Sequence, residues 1–90
     1  MLYVNKAEYK EDYKIWCEFS NGKNGIIDLE RDLWGPVFEP LKDKENFKKF
    51  YVSKEFHTIT WHNGADFAPE FLYEHIEFKL EGDTVEGVSC

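Results

Sequence analysis

The sequence predicts an α+β domain, with a small antiparallel sheet of about five strands and two or three short helices. Apolar and polar residues alternate around residue 15, which is the pattern of a half-buried strand. The pair Asn21-Gly22 follows and is typical of the turn in a β-hairpin. Farther along, the apolar residues over 33–41 have near-helical spacing, but Gly35-Pro36 and Pro40 forbid one continuous helix there.

The strands are predicted from alternation and from turn residues. Asn-Gly supplies the two positive φ angles of a type I′ turn, so residues 13–29 are predicted to form a hairpin. A strand over 2–9 precedes it, with Glu11-Asp12 in the turn. Two further strands are predicted, at 51–53 and 58–61.

The helices are predicted from their first residues. Pro36 is expected to open a single turn. Asp43 is a good N-cap for a helix over residues 44–50. Pro69 is suited to the first turn of a short helix that ends near residue 75.

The length predicts one domain over residues 1–80, followed by a frayed acidic tail over 81–90. Sixteen aromatic residues, 18% of the chain, supply enough surface for a core, since each buries about 150–250 Å². The tail is rich in glycine and acidic residues and has little to bury.

The charge balance is acidic, with a net charge of −7. Residues 66–90 hold seven acidic residues against Lys79 alone, a net charge of −6. This balance disfavours direct binding of nucleic acid, which depends on neutralising phosphates. No apolar stretch approaches 18 residues and no signal peptide is visible, and we interpret Cys17 and Cys90 as free thiols. We therefore expect a cytoplasmic protein that does not enter a membrane.

The sequence lacks the common patterns of catalytic and metal sites. Cys17 alternates with core residues, so we expect a buried, inert thiol. The three histidines, at positions 57, 62 and 75, do not have the spacing of metal ligands. We expect no enzyme, no metal and no cofactor. An enzyme that uses His62 and Asp66 is the least favoured hypothesis.

Five lysines form a local basic run: Lys42, Lys44, Lys48, Lys49 and Lys54. Beside aromatic residues, such a run could hold a nucleic-acid backbone, which is the basis of an alternative hypothesis, a nucleic-acid-linked transcriptional regulator. The favoured interpretation is the solvated face of a short helix, because Asp43 and Glu45 lie within the run.

Three segments together resemble the bacterial family known as domain of unknown function 2442. The first is Glu18 to Lys23 with Gly25 and Asp28, the second is Gly35 to Asp43 with Phe47, and the third is Ile59 to Glu70 with Leu72 and Tyr73. The resemblance covers residues 2–75. The third segment is the most specific, and the family usually has proline where this chain has His62.

The resemblance implies a small α+β fold with an antiparallel sheet, and it supplies no catalytic residues. Members resemble stand-alone cytoplasmic proteins, often encoded beside another small protein in a toxin–antitoxin-like arrangement. We interpret the residues of the third segment as structural: Trp61, Asn63, Gly64, Asp66, Pro69 and Tyr73. Gly64 permits a tight turn, and Asp66 is expected to cap the helix that begins at Pro69.

The leading functional hypothesis is a protein-interaction module, the antitoxin-like or adaptor member of a two-protein operon. The expected partner is a protein, such as the neighbouring gene product, and the sequence does not indicate an oligomeric state. Sixteen aromatics exceed what a small core needs, and exposed aromatics mark interfaces. The candidate contact residues are Trp34, Trp16 and Phe38.

Overall fold

The computed structural model of the chain describes residues 1–77 and confirms the α+β class. Within these residues, six strands form two antiparallel sheets, accompanied by two α-helices. The strands are β1 (Val4–Glu11), β2 (Lys14–Phe19), β3 (Asn24–Asp28), β4 (Tyr51–Val52), β5 (Ile59–Thr60) and β6 (Ile76–Glu77). The helices are α1 (Lys44–Phe47) and α2 (Pro69–Glu74), and 3-10 turns cover Glu30–Asp32 and Glu39–Lys42. The predicted tail, the boundary at residue 80 and Cys90 lie outside the described residues.

The main sheet has the strand order β1-β2-β3-β6 and is antiparallel throughout. Along β2 the side chains of Ile15, Cys17 and Phe19 are fully buried, while the residues between them are half-buried. This alternation confirms the strand predicted from the sequence, because successive side chains point to opposite faces of a sheet.

The loop between β2 and β3 confirms the hairpin, but the predicted type I′ turn is wrong. Gly22 has φ +89°, whereas Asn21 does not have a positive φ. The Gly22 N–H donates to Phe19 O at 2.9 Å, and the Phe19 N–H donates to Lys23 O at 2.8 Å. These bonds define a three-residue loop, in which a type I turn is followed by one left-handed glycine.

The second sheet pairs β4 with β5, as the sequence predicts. Ser53 organises the connection, because its hydroxyl accepts the N–H groups of Glu55 and Phe56, each at 3.1 Å. The same connection joins the two sheets, since the Val4 N–H donates to His57 O at 2.9 Å.

The helices begin where the sequence predicts. The Asp43 side chain accepts the Glu45 N–H at 3.0 Å, which confirms the N-cap. However, α1 ends at Phe47 rather than at residue 50, because the Lys49 N–H bonds to Asn46 O and tightens the chain into a turn before β4. Neither helix in the described part of the chain is long or apolar enough to cross a membrane.

The predicted capping of α2 by Asp66 is wrong. The N-cap residue is Ala68, and no side chain of residues 1–77 caps this helix. Asp66 instead forms a β-bridge with Thr60, two residues before the cap position. The bridge pairs Asp66 with the last residue of β5, so the Asp66 backbone adds to the second sheet and does not form part of the helix start.

The core is one hydrophobic cluster of buried residues that extends from Val4 to Ile76. Phe47 belongs to this cluster and is fully buried. Its ring lies 5.3 Å from that of Tyr13, 6.2 Å from that of Tyr9 and 5.7 Å from that of Trp61. This aromatic cluster joins the main sheet to the second sheet, and truncation of such a residue typically costs about 3–5 kcal/mol.

Candidate interaction surface

The loop over residues 61–66, called here the motif loop, repeats the geometry of the β2–β3 loop. The Gly64 N–H donates to Trp61 O at 3.0 Å, and the Trp61 N–H donates to Ala65 O at 2.8 Å. Gly64 has φ +93°, and Asn63 Oδ1 accepts the Ala65 N–H at 3.1 Å. The pattern aromatic-x-Asn-Gly therefore gives the same three-residue loop twice in this chain.

Residues of the motif loop and of the helix that follows it contact the core. Trp61 is 2% exposed, and its indole Nε1 donates to Phe47 O at 2.9 Å. Tyr73 packs edge-on against Phe19 at 5.3 Å, and Pro69 is the first residue of α2. Asp66 is exposed and makes the β-bridge described above.

Two asparagine side chains fasten the irregular segment over residues 34–42, called here the turn segment. Asn63 Nδ2 donates to Val37 O at 2.9 Å. Asn46 Nδ2 donates to Pro40 O at 3.1 Å. One bond comes from the motif loop and the other from α1, so the segment is held from two sides although it has little regular structure.

A cleft of about 290 Å³ opens where the turn segment, α1 and the motif loop meet. Its apolar lining consists of Pro40, Leu41 and Trp61. Asn46, Asn63, Lys49 and His62 complete the lining, and all four are exposed. His62 also lies against the exposed Tyr51, with ring centroids 4.9 Å apart. The cleft thus has an apolar floor and a polar rim.

The three predicted contact residues have different environments. Trp34 is 71% exposed and lies in the turn segment, three residues before the exposed Val37. Phe38 is half-buried and stacks on Phe67 at 4.9 Å, so it anchors the segment to the core. Trp16 is half-buried on β2, where its Nε1 donates to Asn24 Oδ1 at 3.2 Å. Trp34 is therefore the one of the three that offers most of its side chain to a partner.

Most lysines of the basic run are paired with carboxylates. Lys42 lies 3.0 Å from Glu39, Lys44 lies 3.0 Å from Asp12, and Lys48 lies 3.3 Å from Glu45. The hydrogen bond from Lys44 to Asp12, with the charge of that carboxylate, raises the pKa of Lys44. These pairs offset much of the positive charge that a phosphate backbone would need.

The residues considered for catalysis or metal binding do not assemble into a recognisable centre. His62 and Asp66 are both exposed, at opposite sides of the Asn63-Gly64 turn. Across residues 1–77, no three side chains of the His, Cys, Asp or Glu type are grouped as metal ligands. Burial raises the pKa of the Cys17 thiol to about 12, so the thiol stays protonated at neutral pH.

A second cavity, of about 530 Å³, lies between β3 and the end of α2. It is polar and is lined by Asp28, Glu30, Arg31, Asp32 and His75. The sequence did not point to this cavity or to the cleft, because both combine residues that are far apart in the chain. The Asn-Gly pair at 63–64 was the signal closest to the cleft, and it indicated only a turn.

Comparison with known proteins finds one family. A family model described as "Protein of unknown function (DUF2442)" matches residues 4–78 of the 90-residue chain. No curated protein and no solved structure matches the chain. The match spans the turn segment, α1 and the motif loop, and it therefore includes all described residues that line the cleft.

Proposed function

The chain belongs to the DUF2442 family of proteins of unknown function, and we propose that it acts as a protein-interaction module. The proposed contact surface centres on Trp34. One observation carries the proposal: the Trp34 side chain is 71% exposed although tryptophan has about 150–250 Å² to bury. An indole in this position contributes little to the core, and tryptophan is enriched among the residues that dominate binding energy.

The turn segment that bears Trp34 is held in place before any partner binds. Gly35 O accepts the N–H groups of Phe38 and Glu39, at 3.1 and 2.9 Å. The Val37 carbonyl is held by Asn63, and the Phe38 ring is held by Phe67. A surface that is already ordered loses less conformational entropy on association, and this favours tight binding.

The proposed partner is a protein of basic character, such as the product of a neighbouring gene. The net charge of −7 favours encounter with a positively charged surface. In this proposal the chain is the antitoxin-like or adaptor member of the pair, in the cytoplasm, and it binds rather than turns over a substrate.

The test is co-expression with the neighbouring gene product, followed by affinity capture and measurement of the dissociation constant. We expect Trp34→Ala to weaken the complex on the order of tenfold or more, as truncation of a central anchor does. Phe56→Ala is the matched control, because Phe56 is 57% exposed and lies in the β4–β5 connection.

Two results would contradict the proposal. One is the absence of any complex. The other is a complex that both substitutions weaken equally, since this would indicate a general effect rather than a contact at Trp34. If Lys48→Gln abolished DNA binding while Trp34→Ala had no effect on any activity, the regulator hypothesis would replace it.

A further inference from the structure

The cleft beside the turn segment is rigid and apolar at its base. Leu41 and Trp61 are 3% and 2% exposed, so both are fixed by the core behind them. The indole of Trp61 cannot turn freely, because its Nε1 donates to Phe47 O. The side-chain amides of Asn46 and Asn63 hold the adjoining turn segment through Pro40 O and Val37 O. A preformed apolar cavity of this kind is typical of a binding site.

Within the described residues, the rim of the cleft carries a positive charge that no ion pair neutralises. Lys49 lines the cleft and, among residues 1–77, has no ion-pair partner, whereas its neighbour Lys48 is paired with Glu45. His62 stands on the same rim, and no carboxylate lies among the described residues that line the cleft. The cleft therefore complements a ligand that combines an apolar group with a negative charge.

The volume of the cleft restricts this ligand to about the size of one amino-acid residue. A volume of about 290 Å³ lies at the lower limit of ligand pockets, which span roughly 300–1,000 Å³. Only the last residue of a chain carries its apolar side chain and a carboxylate together. Capture of a C-terminal carboxylate is also a known mode of peptide recognition. A partner of basic overall character still ends in such a carboxylate.

We infer that the cleft binds the C-terminal residue of the partner protein, with its apolar side chain against Pro40, above the buried Leu41 and Trp61, and its carboxylate at Lys49. This inference rests on the proposed interaction function and names the part of the partner that is recognised. Trp34 then contacts a surface of the partner next to its C-terminus.

The experiment uses small probes and the whole chain, followed by NMR through the indole N–H signal of Trp61. N-acetyl-leucine carries both the side chain and the carboxylate, N-acetyl-leucinamide lacks the charge, and N-acetyl-glycine lacks the side chain. We expect N-acetyl-leucine to bind with a dissociation constant on the order of 1 mM. We expect the amide to bind about three- to fivefold more weakly, the scale of an exposed ion pair. N-acetyl-glycine should leave the signal unchanged.

Substitution assigns the charge effect to one lysine. Lys49→Gln should weaken N-acetyl-leucine to the level of the amide. Lys54→Gln is the matched control, because Lys54 is also exposed and without an ion pair among residues 1–77 but does not line the cleft. Equal binding of acid and amide, or an unchanged affinity in Lys49→Gln, would overturn the inference.

The two proposals fail in different ways. If the partner is captured through Trp34 but deletion of its last residue has no effect and the probes do not bind, only the C-terminal inference fails. If the probes bind as expected but no protein is captured, the interaction function fails and the cleft is a site for a small carboxylate.

Discussion

At the scale of single residues, two asparagines each hold a loop and a distant segment at once. Asn21 Oδ1 accepts the Lys23 N–H at 3.0 Å, while its Nδ2 donates to Tyr73 Oη at 3.3 Å. Asn63 closes its own loop in the same way and donates to Val37 O. The two distant acceptors differ, since a tyrosine hydroxyl also donates but a backbone carbonyl does not.

This difference predicts unequal effects of the same substitution. Asn63→Asp keeps the oxygen that closes the loop but replaces the donor with an acceptor facing Val37 O. We expect a loss of about 1 kcal/mol or more in the free energy of unfolding, measured by chemical denaturation. Asn21→Asp is the control, because the Tyr73 hydroxyl reverses its role and donates to the carboxylate. Equal losses would show that the long-range bond of Asn63 contributes nothing.

The buried thiol of Cys17 predicts a dependence of stability on alkaline pH. Its pKa is about 12 in the folded chain, against an ordinary value of 9.0. The unfolded chain therefore releases this proton at lower pH, so Cys17 lowers the free energy of unfolding as pH rises from about 9 towards 12. In a Cys17→Ala variant the denaturation midpoint should fall less steeply between pH 8.5 and pH 10.5 (about the range in which a free thiol ionises). Identical slopes would contradict the expected contribution.

At the scale of elements, the two aromatic-x-Asn-Gly loops share one turn but differ at its second position. Ser20 and His62 occupy position i+1 of the type I turn, where proline is favoured. The Ser20 N–H donates to Tyr3 O at 2.8 Å. No acceptor within residues 1–77 receives the N–H of His62. Proline at position 62 would therefore remove no backbone hydrogen bond within the described residues.

Proline at these two positions should have opposite effects. We expect His62→Pro to raise the free energy of unfolding by about 0.4–1 kcal/mol, because proline restricts the unfolded chain where the native φ is compatible. Ser20→Pro should lower it, since the bond to Tyr3 O is lost. Denaturation midpoints of both variants against the parent check this. A destabilised His62→Pro would indicate that the motif loop is not a type I turn.

Local patterns predicted most elements. What they missed has two causes: a turn signal that fits two turn types, and contacts between residues far apart in the chain. Alternation located β2, and Asp43 located the start of α1, because both signals lie within a few residues. The type I′ turn was wrong since Asn-Gly also suits a loop in which glycine alone has positive φ. The cleft was not predicted, because Asn63 meets Val37 across 26 residues of chain.

At the scale of the whole molecule, charge separates the two main hypotheses. The net charge is −7, and three lysines of the basic run are paired with acidic residues. Both features oppose association with a polyanion. The same net charge promotes solubility and encounter with a basic protein.

We therefore expect no stable complex with duplex DNA or single-stranded RNA near physiological salt. The dissociation constant should be weaker than about 0.1 mM, the weak end of non-specific binding. Fluorescence anisotropy with labelled oligonucleotides measures this, and a charge-reversed variant, Glu39→Lys with Glu45→Lys, is a positive control. Tight binding by the parent chain would favour the regulator hypothesis.

The two aromatic-x-Asn-Gly loops hold two of the three Asn-Gly pairs in the chain, and such pairs are sites of chemical ageing. In an Asn-Gly pair the glycine nitrogen readily attacks the side-chain carbonyl carbon of asparagine, expels ammonia, and leaves a succinimide that water opens to aspartate or isoaspartate. Here both glycine N–H groups are engaged by carbonyls, at 2.9 and 3.0 Å, and both asparagine oxygens accept an N–H. Deamidation must then wait until a loop opens, so its rate at each site records how often that loop leaves its native geometry.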